Sequence, residues 1–146
     1  MSYTQDSDLL SLIAERILIQ LSADDPMAAA PDWQVVAEAR AYADAQIDAR
    51  LRQRYALPLS SVPRELKDWA LALARYWLYS RRPDGQDLPP AVVMASQDAI
   101  KALDAVRDGK MSLDLSAEPE TTATDGGRLT VVANERLFTT DWLATY

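Results

Sequence analysis

Residues 60–80 read SSVPRELKDWALALARYWLYS, and this stretch decides the fold. Pro63 stands where a helix can begin, because the first helical turn does not need the N–H donor that proline lacks. Glu65 suits the positive end of the helix dipole. Apolar side chains then follow at helical spacing along one broad face: Leu66, Trp69, Ala70, Leu73, Tyr76 and Trp77. We predict that this aromatic helix is the centre of the core and that its aromatic residues form a mostly buried face, in preference to an exposed stacking platform.

The preceding segment predicts a second long helix, over residues 32–55. Pro58 ends it, since its ring disfavours helical geometry at Leu57 and interrupts the hydrogen-bond ladder. Charged side chains lie off an apolar stripe whose members are spaced by seven or four residues: Val36, Ala43, Ile47 and Leu51.

Two shorter helices are predicted near the N-terminus. The first ends near Leu12 and has Thr4 or Ser7 as its capping residue, because a side-chain oxygen there can accept from a free backbone N–H. Residues 14–21 form a second short helix or continue the first. Residues 22–31 form a loop, since they contain proline and paired aspartates.

A last helix is predicted over residues 91–108, with Gly109 at the position of a C-terminal cap. Together these elements predict a mainly α protein, a small bundle of four to five helices. We assign residues 1–111 to this helical domain.

Residues 112–146 have a different composition and are assigned to a linker and an extended C-terminal tail. The linker is rich in Ser, Thr, Glu and Pro, and residues 129–133 are β-branched enough to form one short strand. A lone strand needs a partner edge, and large apolar side chains avoid water. The tail therefore either folds back on its own helices or, as we favour, reaches a neighbouring subunit through these residues: Phe138, Trp142, Leu143 and Tyr146.

The composition excludes several kinds of chemistry. The 146 residues include no cysteine and no histidine, so a Ser-His-Asp triad, a cysteine nucleophile and a Cys/His zinc site are all absent. The pairs Asp44–Asp48 and Asp104–Asp108, with Asp24 and Asp25, are the remaining candidates for acid–base or hard-metal chemistry. The helical pairs stand among alanines, as on a solvated helix face. We expect no enzymatic activity and no cofactor.

The N-terminal residues also bear on location. The first eight are acidic where a secretory signal would be basic, and charges interrupt the apolar stretch over residues 9–21. We expect a soluble protein made in a cytoplasm, with no membrane partner.

Charge is unevenly distributed along the chain, whose net charge is -7. Residues 1–49 carry nine acids and two bases, residues 50–82 eight bases and two acids, and residues 83–146 eleven acids and five bases. The acidic total argues against DNA binding as the main role. The basic middle either offsets acidic faces or meets an acidic partner surface, and its interface candidates are Arg52, Arg54, Arg81 and Arg82.

Several blocks, in order along the chain, resemble the Mu-like phage neck family, also called Gp36-like. The most specific is RYALPL at residues 54–59, which contains Tyr55, Leu57, Pro58 and Leu59. Others are LIQLS at 18–22, AQIDARL at 45–51, ARY at 74–76, GKMSL at 109–113 and FTTDWL at 138–143.

The resemblance implies a head-completion adaptor without catalytic residues. Such proteins form a ring, twelvefold by resemblance, between the portal protein and the tail-completion protein. That role places the protein in the virion neck, after assembly in the bacterial host cytoplasm, and DNA passes without being read. The alternative is a prophage-encoded helical regulatory or interaction module that acts as a monomer or dimer.

Overall fold

The computed structural model describes residues 2–81 and 88–115. Within them the chain forms five α-helices, which confirms the mainly α prediction; the predicted strand and the rest of the tail lie outside the described residues. The helices are α1 (Asp6–Leu12), α2 (Glu15–Ser22), α3 (Trp33–Leu51), α4 (Arg64–Ser80) and α5 (Pro90–Arg107).

The three long helices form the body. α4 packs against both α3 and α5, and α3 also contacts α5. The short helices lie on this trio: α1 packs against α4, and α2 packs against α3 and α4. α4 is therefore the central element, as its sequence predicted.

The fully buried side chains at the centre of the core are aliphatic, and Trp69 and Trp77 pack against them. Trp69, Tyr76 and Trp77 are each only partly buried. Small and branched side chains let α4 approach its neighbours closely, whereas aromatic rings fit the rim, where their polar atoms reach water. The fully buried residues of α4 are Leu66, Ala70, Leu73, Ala74 and Leu78.

The start of α3 agrees with prediction, but its end does not. The carboxylate of Asp32 accepts from the backbone N–H of Gln34 at 2.9 Å, a typical N-cap. The helix ends at Leu51, four residues before the predicted Tyr55. There the Leu51 carbonyl accepts from the N–H of both Arg54 and Tyr55, so the chain tightens into turns.

The cap of α1 is Gln5, and the prediction of Thr4 or Ser7 is wrong. The carboxylate of Asp8 reaches back and accepts from the Gln5 backbone N–H at 2.8 Å. Ser7 lies inside the helix, and Thr4 is buried. Asp8 therefore plays the part that Glu or Gln plays at the third helical position of a capping box, by accepting from the backbone N–H of the N-cap residue.

Gly109 follows α5 with a φ of 79°, which confirms the predicted cap glycine. A Cβ built there would lie 2.1 Å from Nη1 of Arg54.

We expect Gly109→Ala to lower the free energy of unfolding by about 1 kcal/mol, because alanine is strained at positive φ and Arg54 must move. Chemical denaturation measures this. The double variant Gly109→Ala/Arg54→Ala separates the two causes: full recovery there would contradict the backbone contribution.

Candidate interaction surface

The N-terminal segment is fixed to α3 by two carboxylates. Tyr3 is 2% exposed; its backbone N–H donates to Oδ1 of Asp44 at 3.2 Å, and its hydroxyl donates to Oδ1 of Asp48. Burial raises the pKa of Asp44, and burial together with the neighbouring Asp48 raises the pKa of the Tyr3 hydroxyl. Asp44 and Asp48 thus bind this segment and do not form the solvated face that their alanine neighbours suggested.

The buried hydroxyl predicts a loss of stability at high pH. In the unfolded chain Tyr3 ionises near its ordinary pKa of 10.0. The folded state holds the proton to higher pH, so its contribution is complete below pH 10 and falls by up to about 1.4 kcal/mol per unit above it. We expect denaturation midpoints of Tyr3→Phe to fall less than those of the wild type between pH 9.5 and 11. Parallel curves for the two proteins would contradict this coupling.

Ion pairs join the acidic ends of the chain to its basic middle. Asp8 meets Nζ of Lys67 at 3.6 Å, and Asp24 meets Nη2 of Arg81 at 2.9 Å. From the other end, Asp104 meets Nε of Arg50 at 3.0 Å. Some of the basic residues in the middle of the sequence are therefore paired with acidic residues of the same subunit.

The second carboxylate pair is also engaged with bases. Asp104 accepts from both Arg50 and Arg107, and Asp108 accepts from Arg107 at 2.9 Å, a hydrogen bond that lowers the pKa of Asp108. Across residues 2–81 and 88–115, no cluster of three or more acids has the geometry to hold a metal ion.

The candidate interface arginines occupy different environments. Arg81 is used within the chain: Nη1 donates to the carbonyls of Leu21 and Ser22 at 3.3 and 3.2 Å, at the end of α2. Arg52 and Arg54 are exposed after α3, and neither makes an ion pair within the described part of the chain. Arg82 and the tail candidates Phe138, Trp142, Leu143 and Tyr146 lie outside the described residues. Interface roles for all of these remain predictions.

The RYALPL block holds the start of the C-terminal segment. The Tyr55 hydroxyl accepts from the N–H of Leu113 at 3.0 Å, and the Ser61 hydroxyl donates to the carbonyl of Leu115 at 3.0 Å. Leu59 is buried, Leu57 is partly buried and Pro58 is exposed, with a cis peptide bond between Leu57 and Pro58.

The sequence did not reveal this contact, because 58 residues separate Tyr55 from Leu113. The contacts of Tyr3 with Asp44 and Asp48 were not predicted either, because they join residues 41 and 45 positions apart. The division of the chain at residue 111 stays a prediction, although residues 113–115 lie on the helical body.

The fold and this surface define a small mainly α protein, in which ion pairs and hydrogen bonds hold the N-terminal segment and residues 113–115 on three packed helices. No described helix is both long and apolar enough to cross a membrane. The chain belongs to the Gp36 family of bacteriophage Mu, whose family model matches residues 3–131. The match includes the RYALPL block and ends before the FTTDWL block at 138–143.

Two relatives agree with this assignment. The chain is 32% identical over 127 residues to the Mu-like prophage FluMu protein gp36 of Haemophilus influenzae (strain ATCC 51907 / DSM 11121 / KW20 / Rd), covering 87% of this chain and 86% of the relative. It is likewise 32% identical to gene product J of Escherichia phage Mu, covering 87% of this chain and 85% of that protein. It is thus a mainly α protein of the Mu-like phage and prophage type.

Proposed function

We propose that this protein is a structural adaptor of a Mu-like phage or prophage, assembling as a ring at the neck between portal and tail. The observation that carries the proposal is membership of the Mu Gp36 family across most of the chain. We further propose that it acts by packing and charge complementarity, without catalysis or a cofactor.

Exposed charged residues that make no ion pair within the described ranges indicate which surfaces contact another copy or a partner protein. Arg52 and Arg54 form an exposed basic corner, defined by these two residues, at the end of α3. Asp25, Glu15 and Glu38 are exposed on and near α2 and α3, and no ion pair within the described ranges engages them. We propose that the basic corner contacts an acidic surface of the adjacent subunit or of the portal protein.

The exposed acidic side chains of this protein suit the wall of a channel for DNA. Acidic side chains repel phosphate, so a lumen that they line lets DNA pass without sticking, whereas a basic lumen retards it. We propose that the acidic first or last helices face the lumen and that DNA is not recognised by sequence. A ring structure with Arg52, Arg54, Arg81 and Arg82 lining its channel would overturn this orientation.

Charge reversal tests the proposed contact. The variant Arg52→Glu/Arg54→Glu should stay folded, because both side chains are exposed and the one hydrogen bond from Arg52 to the Asp48 carbonyl lies at the surface. It should lower binding to purified portal particles at least tenfold. Arg16→Glu/Lys101→Glu changes the net charge by the same amount at exposed sites elsewhere. Sedimentation with portal particles and electron microscopy of the product give the readout.

Two outcomes would count against the adaptor. Equal loss in both charge variants would show that only net charge matters. A wild-type chain that stays monomeric at high concentration and does not bind portal particles would favour the alternative, a regulatory or interaction module.

A further inference from the structure

An apolar groove of about 240 Å³ lies where the end of α1 meets α4 and α5. Ala95 is exposed at its edge, and Leu12 exposes 44% of its surface there, although it is an apolar residue. Contact between water and apolar surface is unfavourable, so burial of this groove by an apolar occupant is favoured. The lining consists of Leu12, Leu71, Ala72, Arg75, Val92 and Ala95, with Asp68 beside it.

Arg75, which is only partly buried, adds a positive charge and one buried polar atom to this groove. Nε of Arg75 is buried and has no hydrogen-bond partner among the described residues, while its guanidinium lies 5.7 Å from the ring centre of Tyr79. A buried N–H without an acceptor is costly. The occupant that the groove fits is therefore an apolar segment that also brings an acidic side chain.

We propose that the occupant is the C-terminal segment of the same molecule, residues 138–146, which read FTTDWLATY. The groove thus favours a tail that folds back on its own helices over the contact with a neighbouring subunit that the sequence alone favoured. Phe138, Trp142 and Tyr146 are spaced by four residues, which is the spacing of one helix face. Asp141 supplies an acceptor for Arg75. Just ahead, Arg136 is opposite in charge to Asp68, which lines the groove and also meets Nε of Arg64 at 4.0 Å.

The described chain also ends in a place that permits this contact. Leu115 is held by Ser61, just before α4 begins. A chain as long as residues 116–137 reaches at most about 75 Å, well beyond the roughly 16 Å that the helix rises between Arg64 and Arg75. The segment thus reaches its own groove at an effective concentration on the order of millimolar.

The full-length chain, which has no native cysteine, allows a direct test by paired cysteines. Ala95→Cys at the groove edge is combined with Ala144→Cys in the tail and treated with a short bis-maleimide at micromolar protein. Intramolecular cross-linking should be at least tenfold faster than in the matched control Gln97→Cys/Ala144→Cys. Gln97 is exposed on the same helix, about 200° around it.

Added substitutions test the anchors. In the Ala95→Cys/Ala144→Cys background, Phe138→Ser/Trp142→Ser should lower the cross-linking rate at least fivefold, and Asp141→Asn should lower it severalfold. Equal rates at positions 95 and 97 would overturn the proposal, as would cross-links that join two chains. The measurement uses the isolated protein, so it stands apart from whether the chain forms a neck ring.

Discussion

Leu73→Ala is expected to lower the free energy of unfolding by about 3 kcal/mol. Leu73 is 1% exposed in the middle of α4, which packs against both α3 and α5. The substitution loses the transfer free energy of the removed carbons and leaves a cavity that rigid helices fill only in part. For a domain with a total stability of about 5–15 kcal/mol this is a large fraction. Urea unfolding followed by circular dichroism measures it.

Met94→Ala is the matched control for this truncation. Met94 also lies in a long helix but is 63% exposed, so its loss should change stability by less than about 0.5 kcal/mol. A Leu73 variant as stable as the Met94 variant would contradict an aliphatic centre at α4. It would then point to the partly buried aromatic residues as the main source of packing energy.

The helices could be predicted because their signals are local. Pro63 and Gly109 mark a start and an end through backbone geometry alone, and the structure confirms both. Leu66 and Leu73 follow the helical period of a buried face. The period does not say which side of a broad apolar face is fully buried: Trp69 and Trp77 pack against the core but are only partly buried.

The contacts of the candidate surface could not be predicted because they join distant residues. Asp44 resembles a solvated acid among alanines until Tyr3, 41 residues away, covers it. The basic middle of the sequence gave no indication that Arg50 would be paired with Asp104, 54 residues further along. Local composition determines how much charge a segment carries, whereas the fold determines which charges remain for a partner.

Arg81→Ala is expected to lower the free energy of unfolding by about 1–2 kcal/mol and to leave assembly intact under conditions where the variant is folded. The guanidinium donates to the last carbonyls of α2, which have no partner within their own helix. The ion pair to Asp24 contributes less, since Asp24 is 84% exposed and water screens it. Asp24→Ala should therefore cost less than about 0.5 kcal/mol, and thermal denaturation of the two variants compares the contributions.

Stability and portal binding, measured together, distinguish an arginine that stabilises the fold from one that contacts a partner. Arg52→Glu/Arg54→Glu should keep its stability and lose portal binding, whereas Arg81→Ala should lose stability and keep binding. If Arg81→Ala instead unfolds like the wild type but fails to bind portal particles, Arg81 belongs to the interface after all. Because the carbonyls of Leu21 and Ser22 would then be satisfied by water alone, that result would also show that the end of α2 does not need the guanidinium.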